Sequence, residues 1–84
     1  MRAEQFHKMQ MLEKVQHVLT NGVDVMSRIY MYYHIKLYVV DGFFVEIWYR
    51  QMASRIDYVE IVGVDDVFLN YKEKIDISDL YQKN

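Results

Sequence analysis

His34 is the side chain whose type and surroundings come nearest to a catalytic arrangement in this sequence. A hairpin with the three-residue loop Val40-Asp41-Gly42 is expected to bring it across from Trp48, with Lys36 and Glu46 one diagonal step away. An imidazole held near a carboxylate is how a general base is oriented. It is also an ordinary cross-strand pair, and structural networks perturb titration in the same way. His7 and His17 lie about 80° apart around a helix and neither has a second histidine four residues on, which is not a zinc-ligand spacing. With no cysteine in the chain, thiol nucleophiles and thiolate metal sites are excluded. Three widely separated glycines build no phosphate-cradling loop, and Ser27, Ser54 and Ser78 sit in no nucleophile-elbow context. Asp65 and Asp66 are best explained as acids at a helix start, where they meet the positive end of the macrodipole. The expectation is therefore no catalytic residue, no cofactor and no metal, with a small enzyme using His34 kept only as a third possibility.

The elements that carry these residues can be read from periodicity. From Glu4 to Thr20 good helix formers predominate, and Met11, Leu12, Val15, Val18 and Leu19 fall on one arc of roughly 120°, predicting a core-facing helix that ends at Asn21-Gly22. Phe6 and Met9 fall off that arc. Segment 23–29, VDVMSRI, alternates as a strand does, although Met26, Ile29, Tyr30 and Tyr33 also fit helical spacing. Segment 32–50 carries the Asp-Gly hairpin signal between β-branched and aromatic residues. RIDYVEIV, 55–62, reads as a further strand whose phase breaks in the middle, predicting a bulge. Val64, Val67, Phe68 and Tyr71 follow as a short amphipathic helix to about Lys74. Beyond it, Ile75, Ile77, Leu80 and Tyr81 predict an extended tail that docks, with a turn started by Ser78.

The hairpin register decides what the two sheet faces present. A two-residue Asp41-Gly42 turn would set Leu37 against Glu46 and Lys36 against Ile47, mixing charged and apolar residues on both faces. A three-residue loop, Val40-Asp41-Gly42, sorts them instead. One face then reads Val39/Phe43, Leu37/Val45, Ile35/Ile47 and Tyr33/Tyr49. The other reads Tyr38/Phe44, Lys36/Glu46, His34/Trp48 and Tyr32/Arg50. The predicted fold is a single α+β domain over 1–84, two-layered, a four-stranded antiparallel meander in the order α-β-β-β-β-α with both helices on the apolar face. Tyr32, His34, Tyr38, Phe44, Trp48 and Arg50 are then left on an uncovered aromatic face, the candidate interaction surface.

Size and composition bear on what such a face is for. A chain of 84 residues buries only about 60% of the surface its unfolded form exposes, and without cysteines the usual remaining support is association. Aromatics make up 15% of the chain, and aromatics with arginine are what protein contacts concentrate at their centre. A homodimer or a protein partner is therefore expected. Single-stranded RNA is the alternative, since Arg28, Lys36, Arg50 and Arg55 flank the aromatics. Against it, the net charge is −2, and Glu46, Asp57 and Glu60 interrupt the basic residues. No apolar run approaches the roughly 18 residues of a membrane span and the opening MRAEQFHKMQ lacks a signal-peptide core, predicting a cytoplasmic protein with no membrane partner.

IKLY, FFVEIWY and IDISDL together resemble small uncharacterised bacterial proteins in which a hairpin of this type follows a short helix. The resemblance spans residues 23–80 and implies no activity, cofactor or site residue.

Overall fold

The computed structural model describes residues 1–74, and the docking tail expected from Ile75 onwards lies outside them. The order is α1 (Ala3–His7), α2 (Met11–Asn21), β1 (Val23–Tyr30), β2 (Tyr33–Val40), β3 (Phe43–Arg50), β4 (Arg55–Val62) and α3 (Val64–Tyr71). The strands form one antiparallel sheet in the order β1-β2-β3-β4. This is the α+β meander with terminal helices that the periodicity predicts.

The helices differ from expectation in placement. Side chains alternate across a strand, so residues one apart face opposite sides. Val18 of α2 packs with Phe6, Tyr38, Val40, Val45, Ile47 and Val59, whereas Val67 and Tyr71 of α3 pack with Leu37, Met26, Phe44 and Val62. Those two sets occupy alternate positions of the same strands. The N-terminal helices thus cover one face and α3 covers the other, in place of two helices on a single face.

The hairpin register is corrected as well. Val40 pairs with Phe43, Leu37 with Glu46 and Lys36 with Ile47, so the loop is the two-residue Asp41-Gly42 turn. Asp41 (φ 52°) and Gly42 (φ 88°) are both left-handed, which is what a type I′ turn requires and what matches the twist of its strands. The three-residue loop follows only if one sheet face must be apolar throughout. With a helix on each face, both faces need apolar residues near the β2–β3 turn, and neither need be uniform.

A third correction concerns the first helix, which is two. α1 is a single turn, and Glu13 accepts the Gln10 backbone N–H at 3.1 Å where α2 begins. The break folds Phe6 back onto the sheet, edge to face with Phe43 at 5.5 Å, and buries it to 1% exposure. Phe6 and Met9 therefore join the core, while Met11, Leu12 and Leu19 of the expected arc are exposed.

Candidate functional site

Both outer strands bulge. In β1 the extra residue is Val25, between Asp24 and Met26; in β4 the pairing slips between Tyr58 and Ile56. The expected mid-strand bulge therefore falls at Asp57. It moves Ile56 to the α2 side and leaves Tyr58, Glu60 and Val62 on the α3 side, resolving the phase conflict in RIDYVEIV. Asp57 becomes the hub of one end of the sheet. Its carboxylate accepts from Tyr33 Oη (2.9 Å), Arg50 Nε (2.7 Å) and Arg55 Nε (2.8 Å). Those charge-assisted bonds, Arg55's first, hold its pKa down to about 2. The same contact pushes the Tyr33 phenol up to about 12.

Around this hub lies an aromatic plate on the α3 side, at the end carrying the β1–β2 and β3–β4 turns. Trp48 is edge-to-face with Tyr33 (5.2 Å), Tyr58 (5.6 Å) and Tyr30 (6.1 Å), and Tyr32 leans on Tyr33 at 5.3 Å. The Arg50 guanidinium lies 5.8 Å from the rings of both Tyr32 and Tyr33. α3 sits over the opposite end of this face, so Tyr30, Tyr32 and Tyr58 are exposed, as are Ile29 and Met31 beside them. Met31, 73% exposed, holds φ at 54° as the first residue of the two-residue turn between the paired Tyr30 and Tyr33.

Between plate and helix, Glu46 is 3% exposed yet fully partnered. It accepts from Arg28 (3.2 and 3.3 Å), from Trp48 Nε1 (3.2 Å) and from Tyr71 Oη (2.8 Å). Arg28 is itself 5.5 Å from the rings of Trp48 and Tyr71. Burial, with the Glu46 contact second, raises the Tyr71 phenol pKa. These partners lock the Trp48 indole in place. Above them opens a cleft of about 320 Å³ lined by Arg28, Glu46, Trp48, Tyr58, Glu60, Val62, Asp66 and Asn70.

The six residues expected to share a surface divide between locations. Trp48, Phe44 and Arg50 are on the α3 side, with Phe44 packed under α3. Tyr38 is 6% exposed in the α2-side core. His34 is also on the α2 side, where it pairs with Tyr49 and Ile29 in place of Trp48. Tyr32 lies in the β1–β2 turn. Residue pairs along β2 are thereby swapped between faces, the direct result of moving the turn by one residue.

His34 lines a second hollow of about 500 Å³ with Lys36, Tyr49, Arg50, Gln51 and Ser54. No carboxylate is among those residues, and Glu46 is on the other face, so the pairing of His34 with Glu46 on which the third possibility rested is not assembled. Among the described residues no group of His, Asp and Glu could hold a metal ion, and no helix is long and apolar enough to cross a membrane. Tyr30, Tyr33, Tyr58 and Glu60 are site residues that sequence reasoning missed. The alternation of Tyr58 with Val62 was the available signal.

No family model, curated protein or solved structure matches this chain, so what it does has to be argued from its own geometry.

Proposed function

We propose that this chain is a non-enzymatic, cytosolic protein-interaction module that docks a protein partner through the aromatic plate on the α3 side of its sheet. The observation that carries the reading is the plate itself. Five rings, Tyr30, Tyr32, Tyr33, Trp48 and Tyr58, contact one another; Trp48 and Tyr33 are fixed by hydrogen bonds to Glu46 and Asp57, and Tyr30, Tyr32 and Tyr58 are exposed around them. Rigid aromatics lose little conformational entropy on binding and supply most of the energy at protein contacts.

Base stacking is the competing use of such a plate. Local charge argues against it: Arg28 is tied to Glu46, Arg50 and Arg55 are tied to Asp57, and Glu60 and Asp66 line the adjoining cleft. Phosphates need guanidinium groups that are not already neutralised.

The test is site-specific photo-crosslinking in the host cell, with benzoylphenylalanine at Tyr32 or Tyr58 and, as control, at exposed Gln16 on α2. A discrete protein adduct from the plate positions and none from the control is expected. Adducts of equal yield from all three sites, or none from any, refute the proposal. Light scattering on the purified chain distinguishes a second copy from a different partner. RNA binding at low salt that collapses as salt rises would replace the protein reading with the nucleic-acid one.

A further inference from the structure

The cleft beside the plate has a chemical character of its own. Trp48 and Tyr58 stand at 89° to one another with centroids 5.6 Å apart and form a corner, in which the Arg28 guanidinium lies 5.5 Å from the Trp48 ring and the Tyr58 ring is exposed. Val62 continues the apolar wall. The floor is the Arg28–Glu46 pair, which is internally neutral. Glu60 stands directly across the β3–β4 ladder from Glu46, a like-charge pairing that costs stability unless something balances it. Arg28 balances Glu46. No described basic residue pairs with Glu60, nor with Asp66, which faces the cleft from the first turn of α3 with Asn70 one turn further on. An aromatic corner rimmed by two carboxylates and an amide is a receptor for an organic cation, because ring quadrupole and carboxylate charge act in the same direction. The carboxylates do not converge as metal ligands do. A volume of about 320 Å³ admits one long side chain and excludes a folded element.

We propose that this cleft receives the arginine or lysine side chain of a basic partner segment, the neighbouring plate taking the apolar residues beside it. The proposal rests on the docking reading above and specifies the partner's chemistry.

Trp48 is the only tryptophan in the chain, so its emission reports on the cleft directly. The full chain is titrated with the blocked tripeptide Gly-Arg-Gly, its lysine analogue and its citrulline analogue, which keeps the shape of arginine without the charge. Saturable change with the two cationic peptides, weakened by salt, and little with citrulline is the expected result. Glu60→Gln with Asp66→Asn should lower affinity roughly tenfold, as expected for two partly screened charges. Removing the Glu46–Glu60 repulsion should leave that double variant folded, which its thermal melt checks. Asp65→Asn, an acid of the same helix turn that does not line the cleft, should bind as the parent does.

Equal binding of citrulline, or undiminished arginine binding by the double variant, overturns the proposal. So does a change in Trp48 emission with protein concentration alone, which would make a second copy the occupant. A shift in that emission on Lys83→Ala without peptide would give the cleft to the chain's own C-terminal residues and overturn it too. If adducts form at Tyr32 or Tyr58 while the cationic peptides do not bind, the cation site fails and the docking surface stands. If the peptides bind and no adduct forms, the docking reading is what fails.

Discussion

The two faces of this sheet solve the same problem by different means. Under α1 and α2 the sheet is closed by hydrocarbon: Phe6, Val18, Val40, Val45 and Ile47 are each at most 1% exposed. Under α3 the contact is partly electrostatic, with Glu46 bonded by residues from β1, β3 and α3, and beyond that network the face is open. Hydrophobic packing tolerates small shifts of position, whereas a carboxylate shared among three donors fixes each of them in place. The face that orients Trp48 with hydrogen bonds is also the face that leaves its neighbours exposed.

The largest expected effect probes the closed face. Phe6→Ala should cost about 3–5 kcal/mol in urea denaturation, the range for truncating a buried phenylalanine. A cost near zero would mean that α1 does not belong to the core. Glu46→Ala comes next, at about 3 kcal/mol, because Arg28, Trp48 Nε1 and Tyr71 Oη lose their acceptor together. Restoring most of that loss with Arg28→Met plus Glu46→Leu would identify uncompensated charge as the penalty. The acid limb is smaller. Asp57 has a folded pKa of about 2, below the usual carboxylate value near 3.9, so its contribution is complete above about pH 4. Stability from this group should fall as pH drops from there towards 2, and Asp57→Asn should flatten that part of the pH profile. Smallest in stability terms is Tyr58→Ala on the open end, expected to cost under about 1 kcal/mol as an exposed side chain. The same substitution should abolish photo-adducts from Tyr32, and that contrast between a trivial melt and a lost contact is what separates a binding surface from a core.

Local signals in the sequence were reliable where local physics decides the structure. Asp41-Gly42 marks the hairpin because few dipeptides accept two left-handed residues, and the broken alternation of RIDYVEIV marks its bulge. Turn length is not legible in the sequence, where an apolar face is the available criterion for it. That criterion fails once helices close both faces, and Glu46 against Leu37 is tolerated only through Arg28 and Tyr71, 18 and 25 residues away. Trp48, Arg50 and Tyr32 were recognisable as surface candidates by type. A register one residue out of step puts Tyr38 and His34 on that surface, and Tyr58 and Glu60 flank Trp48 and Glu46 only through a pairing that the bulge obscures. Phe6 was lost for a different reason: a helix break at Lys8–Gln10 carries no glycine or proline to announce it.

The irregularities in β1 and β4 fall on the two rims of the meander, one on each. A rim strand offers unsatisfied amides and carbonyls to any extended peptide that approaches it, and an extra residue throws those groups out of step. Ribbon-to-ribbon growth into fibrils or strand-swapped chains is thereby discouraged at both margins. If the proposed docking holds, it falls to the broad side of the sheet, where a visitor is selected by side chains and not by backbone.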